Sequence, residues 1–237
     1  YEIASCLVGS EMCIRDSGIA ELGRDVWRGD RTSNECGLKI LGAPLGSDEF
    51  IDTFLQERIR DEALLIDRLA YVQDLQCAWL ILSMCAAKRA NHLLRVLPPS
   101  IVTNYAQQHD GCIWRGLCQL LEDNSSNTLQ NNMHRSIAEI PARAGGLGLG
   151  NSVRTSSAAY WAAWADTLPV LISKLPEDAR SLQRQLESPQ CLSPCLREAR
   201  SAAQVLSADG FSALPSWQSL VDGLSLIHIS EPTRQEA

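Results

Sequence analysis

The chain has 237 residues and a formal charge of −7; 45% of its residues are hydrophobic, 21% are charged and 5% aromatic. That balance fits a globular protein with a real core, and excludes a disordered acidic tail or a low-complexity linker. It does not announce nucleic-acid binding, although a net charge averages over surfaces and leaves room for a local basic stripe.

The two ends of the chain are related to each other through their coding DNA. Leu7 to Ser17, LVGSEMCIRDS, and Leu224 to Arg234, LSLIHISEPTR, can be back-translated so that one is the reverse complement of the other. The relation continues outward, from Ile3-Ala4-Ser5-Cys6 to Gln235-Glu236-Ala237. The shared string resembles the transposase-end adapter used to prepare sequencing libraries. Residues 1–17 and 224–237 are therefore expected to be translated adapter, and they are set aside from fold reasoning. The remaining stretch, 18–223, is expected to be a piece of a longer reading frame. Five acids (Glu2, Glu11, Asp16, Glu231, Glu236) and two arginines (Arg15, Arg234) lie in the ends, so the charge without them is −4.

Residues Gly37 to Gly42 read as a short strand, and Ala43-Pro44-Leu45-Gly46 as a turn or a second short strand. Ser47 is a candidate helix cap, with Asp48 and Glu49 in the first turn. A helix over 48–72 follows from Ile51, Leu55, Ile59, Ala63, Ile66 and Ala70, which share one face. Glu57, Arg58, Arg60, Asp61, Glu62 and Arg68 are assigned to its solvated sides, with Arg58 and Glu62 one turn apart.

A second helix is predicted over 74–97 and ends at Pro98-Pro99. Ser100 is the candidate cap of a third, 101–122, in which Gly111 and Gly116 are weak points. Asp123 to Asn132 reads as a loop, 133–140 as a short helix closed by Pro141, and Arg143 to Gly150 as a glycine-rich connector. Ser152 to Leu168 is predicted helical, followed beyond Pro169 by helical pieces over 171–186 and 195–206. The fold class expected is mainly α, a bundle-like set of helices with one strand or hairpin near 37–46.

Seven cysteines remain between the adapter-like ends, with no CxxC pair and no signal peptide, so reduced thiols in an intracellular protein are expected. The longest uncharged apolar run, Cys77 to Ala87, is about half of the ~20 residues a membrane span needs, and no membrane partner is expected. Adjacent acids such as Asp48-Glu49, Asp61-Glu62 and Glu177-Asp178 lie on helices and diverge, so they read as solvated surface and not as a metal site. Residues 145–150 lack the Lys-Ser/Thr ending of a phosphate loop; a structural turn is favoured, with Arg143 beside it as a possible phosphate contact. His109 reads as a packing residue. Lys88, His92 and Arg95 are spaced i, i+4, i+7 with Arg89 alongside, either a solvated face or a stripe that tracks a phosphate backbone. Tyr160, Trp161 and Trp164 are taken as core, with base stacking as the alternative.

Several segments, in order, resemble the region downstream of the catalytic motif in reverse transcriptases of non-LTR retrotransposons. They are GLKILGAPLG (37–46), DLQCAW (74–79), HLLRVLPPS (92–100), His109-Asp110 with Trp114, RAGGLGLG (143–150) and SAAYWAAWAD (157–166). The resemblance implies an organisation of 18–47 as palm edge, 48–168 as a thumb-like helical region and 169–223 as a helical extension of unknown role. It implies that Leu41, Gly42 and Gly46 match the primer-grip side of the palm. Lys88, Arg89, His92, Arg95 and Arg143 would contact an RNA–DNA template–primer duplex, the partner of the parent protein. That protein would be an RNA-directed DNA polymerase requiring Mg. The aromatic-x-Asp-Asp motif is missing here, so the piece itself should be non-catalytic, with no metal or cofactor of its own. The alternative is a helical interaction or scaffold module with no nucleic-acid role.

Overall fold

A computed structural model describes residues 32, 35–122, 128–188, 190, 193–211 and 214–222. The adapter-like ends and Cys191 lie outside the described residues. The described chain is mainly α with a single two-stranded antiparallel sheet. It divides into two units, at Arg58/Ile59.

The first unit holds the hairpin of β1 (Gly37–Ile40) and β2 (Ala43–Gly46), paired Gly37 to Gly46 and Ile40 to Ala43. The two-residue loop between them has positive φ at both positions, Leu41 at 50° and Gly42 at 82°. That is the sense of turn whose twist matches a hairpin, and glycine meets it without strain. Leucine does not, at a cost of about 1 kcal/mol. Gly46 has a different reason to be glycine: a Cβ there would lie 2.4 Å from the Cys36 carbonyl oxygen and 2.5 Å from Gly37 Cα. The Phe50 ring occupies the corresponding space over Gly37. Helix α1 (Asp48–Leu69) follows, with the Ser47 hydroxyl accepting from the Phe50 N–H at 3.2 Å and Asp48 and Glu49 in its first turn.

In the second unit the expected helix over 74–97 is broken. Asp74 caps α2 (Leu75–Leu80) by accepting from the Cys77 N–H at 2.8 Å. A π-helical turn, Ile81–Cys85, and a 3₁₀ turn, Ala86–Lys88, come before α3 (Asn91–Val96). No proline or glycine marks the break. Instead the Ser83 hydroxyl donates to the Trp79 carbonyl at 2.8 Å, and the Ala86 N–H is shared between the carbonyls of Ile81 and Leu82. A side chain inserted into the backbone ladder is a known cause of such widening.

Helix α4 (Pro99–Leu120) starts earlier than expected. Pro98 takes the cap position and Pro99 the first turn, where a missing N–H costs nothing. Ser100 is therefore inside the helix, and its N–H reaches Glu198 at 3.3 Å. Helix α5 (Thr128–Glu139) also starts early, inside the stretch expected to be loop.

The glycine-rich connector folds back on the end of α5. The Gly148 N–H donates to Ile140 O at 2.8 Å and the Leu149 N–H to Ala138 O at 3.1 Å, which satisfies carbonyls that a helix end leaves unpaired. A Cβ at Gly146 would sit 2.0 Å from the Ile140 carbonyl oxygen. The segment is a helix terminator, as its lack of a phosphate-loop pattern implied.

Helix α6 (Ser152–Lys174) runs through Pro169, six residues beyond its expected end. The proline forfeits one backbone bond, but Leu168 before it is fully buried and Ile172 after it packs on the same core. Pro176 begins α7 (Pro176–Glu187), followed by α8 (Pro194–Ala208) and the short α9 (Trp217–Val221). Helices α3, α4, α7, α8 and α9 all pack on α6. One core joins Trp161, Ala165 and Leu168 to Leu186, Leu196 and Leu220; a second joins Ile66, Leu82, Cys112, Ile113 and Leu117. The boundary drawn at 168 thus falls inside a helix.

Two glycines provide opposite tests by urea unfolding. Gly146→Ala is expected to destabilise the chain by about 1–3 kcal/mol, because backbone occupies the space of the new methyl. Gly111→Ala, in mid-helix with nothing within 4 Å of the added Cβ, should stabilise it by about 0.5–1 kcal/mol.

Candidate nucleic-acid interface

The charges of the second unit fall into two sets, one buried and structural, the other exposed. The buried set centres on Glu62. Its carboxylate accepts from the Tyr105 hydroxyl at 2.7 Å and lies 2.6 Å from His109 Nδ1. Glu62 is 4% exposed, Tyr105 2% and His109 1%. This corrects the assignment of Glu62 to a solvated face. Arg58, its expected partner, lies instead over the Phe54 ring at 5.4 Å. His109 Nε2 is buried with no hydrogen-bond partner, alone among the described side-chain nitrogens and oxygens in this respect.

Asp110, the next residue, is buried too and caps a different helix. Its two carboxylate oxygens accept from the N–H groups of Ser152 (2.9 Å) and Val153 (3.1 Å), at the start of α6. The Asn151 side chain accepts from the Arg154 N–H at 2.8 Å and donates to Glu139 at 2.9 Å. Three donors that a helix start leaves unpaired are thus satisfied by two side chains. Neither His109 nor Asp110 is open to a ligand.

The exposed set contains the residues expected to meet a duplex. Lys88, Arg89, His92 and Arg95 are all exposed. The break after Leu80 places them on two elements: Lys88 ends the 3₁₀ turn, while His92 and Arg95 lie on α3. They do not form one continuous helical stripe. The Lys88 ammonium lies 3.9 Å from where a Cβ on Gly150 would be, beside the start of α6. Arg95 pairs with Asp166 of α6 at 2.7 Å, both about half exposed. Such a pair is worth about 0–1 kcal/mol, so its guanidinium remains exchangeable. Arg143 is exposed on the 3₁₀ turn Ala142–Ala144. In the first unit, Leu41 stands 92% exposed at the tip of the hairpin, with Ile40 and Leu45 about half exposed. Gly42 serves the turn, and Gly46 the close approach of the strands.

His92 and Arg95 also line a groove with Tyr160, Ala163, Trp164, Thr167 and Cys195, with a volume of about 420 Å³. Sequence reasoning placed Tyr160, Trp161 and Trp164 together in the core. Tyr160 and Trp161 are buried there; Trp164 packs against the same core but is only partly covered, and also forms a wall of the groove. Its position on α6 facing His92 and Arg95 of α3 depends on how those helices pack, which no local pattern encodes. The Tyr160 hydroxyl donates to the Cys195 carbonyl at 3.3 Å, and burial pushes its ionisation above the ordinary range. A raised folded-state value means that the neutral phenol contributes stability below pH about 10, lost as pH rises through that value.

Among the described residues, no group of three or more His, Cys, Asp or Glu side chains is arranged to hold a metal ion. No described helix is long and apolar enough to cross a membrane.

Removing the Glu62 carboxylate takes away the acceptor of the Tyr105 hydroxyl and the partner of His109 Nδ1 in the core. Glu62→Ala should cost about 3 kcal/mol or more in urea unfolding, and Tyr105→Phe, which removes one bond, about 1–2 kcal/mol. An exposed Glu62 would leave both variants within about 0.5 kcal/mol of the parent chain.

Models of known protein families give no match to this chain, and neither do the curated proteins nor the solved structures.

Proposed function

We propose that this chain is the palm edge and thumb of an RNA-directed DNA polymerase of the non-LTR retrotransposon type. It positions a template–primer duplex and does not itself transfer nucleotides. The observation that carries this reading is the exposure of Lys88, Arg89, His92 and Arg95 within one short stretch of an acidic chain. Those residues follow a hairpin and a long helix in the order expected of that region. Lys88 and Arg89 are the strongest backbone contacts of the set, since Arg95 must first exchange Asp166 for a phosphate. The catalytic aspartates would be supplied by the rest of the parent protein.

A second reading, a helical scaffold with no nucleic-acid role, is favoured by the net acidic charge, −4 without the adapter-like ends, and by the apolar surface beside α5. There Leu121, Met133, Ile137 and Leu147 are each about half exposed.

Binding of the full chain to a labelled RNA–DNA hybrid, followed by anisotropy at several salt concentrations, separates the two. The polymerase reading expects affinity to fall linearly with salt on logarithmic axes. Replacing Lys88 and Arg89 by alanine should weaken binding to all hybrid sequences alike and reduce the slope by about two. Absence of binding, or binding indifferent to salt and to both substitutions, would leave the scaffold reading.

A further inference from the structure

The groove between α3, α6 and α8 sets an aromatic wall, rooted in the core, opposite His92 and Arg95. On α6 the residues 160, 163, 164 and 167 follow the i, i+3, i+4, i+7 spacing of one helix face. All four line the groove, opposite His92, Arg95 and Val96 of α3, with Cys195 of α8 at its side. Ala163 gives the face its depth, because a methyl stands where larger side chains flank it. No carboxylate lines the groove; Asp166 is held off by Arg95 at 2.7 Å.

Trp164 packs against the core from within, and beside it the Tyr160 hydroxyl donates to the Cys195 carbonyl at 3.3 Å. The partly covered indole borders the groove. A partly exposed aromatic face beside an exposed guanidinium and imidazole suits a planar ring carrying an anionic group. The volume of about 420 Å³ lies within the range of small-ligand sites.

We propose that this groove holds one unstacked nucleotide of a single strand, its base against Trp164 and its phosphate at His92 and Arg95. The proposal rests on the reading of the chain as a nucleic-acid-positioning protein, and adds a single-stranded site to it. Sequence preference there should be weak, since every base has a π face.

The test uses the full chain with two probes, a short labelled oligothymidylate and the RNA–DNA hybrid. Ala163→Phe fills the groove without removing a polar group, and Trp164→Leu removes the stacking face. Each should weaken oligothymidylate binding about five- to tenfold or more, while hybrid affinity changes less than twofold. Oligothymidylate should also quench the tryptophan emission of the parent chain, and quench it less in Trp164→Leu. If Trp164→Leu loses its cooperative unfolding transition, Ala163→Phe alone decides, since Ala163 is only partly buried. Unchanged oligothymidylate affinity in Ala163→Phe, with hybrid binding intact, overturns the groove and leaves the duplex reading standing. Failure of the parent chain to bind either probe overturns both.

Discussion

A carboxylate on one helix determines where another begins. Helix α6 is the element on which α3, α4, α7, α8 and α9 pack, and its first two N–H groups are received by Asp110 of α4. Without that acceptor, the start of α6 would bury unpaired donors beside the core that α4 helps to build. The negative charge also lies at the positive end of the α6 dipole, where it is most stabilising. Backbone pairing and side-chain packing are therefore satisfied at one point, and the groove between α3, α6 and α8 inherits its geometry from it.

Residues 105, 109 and 110 show how one helix can serve two neighbours. Tyr105 and His109 share a face and meet Glu62 of α1; Asp110, one position on, is turned about 100° and meets α6. The polar groups thus specify which helices lie on either side of α4, a demand that apolar contacts alone would meet less exactingly. The unpartnered Nε2 of His109 is a cost of this arrangement, about 1–3 kcal/mol.

The features legible in the sequence were those with a local cause. Ser47 before two acids, the apolar face of α1 and the presence of a short strand or hairpin at 37–46 each declare themselves within a few residues, although the turn falls at Leu41-Gly42, which the local pattern reads as the end of the first strand. The connector at 143–150 declares that it is no phosphate loop. Glu62 could not be read, because its partners lie 43 and 47 residues away and the charged Arg60 and Asp61 directly precede it. Pro169 marks a false end, since tertiary burial of Leu168 and Ile172 outweighs a local penalty. At the candidate site the basic residues were visible as residue types. Their division between two elements was not, nor the ion pair of Arg95, nor the partial exposure of Trp164.

The π turn at Ile81–Cys85 and the 3₁₀ turn at Ala86–Lys88 wind in opposite senses relative to an α-helix, one loose and one tight. Placed in succession, they let the chain take up an extra residue and then recover its angular phase before α3. Without them, one added residue would rotate everything beyond it by about 100° and carry Leu93 and Leu94 out of the core. The same compensation ties the number of residues in this stretch to the packing on both sides, since Leu82, Ala86 and Ala87 within it are themselves buried.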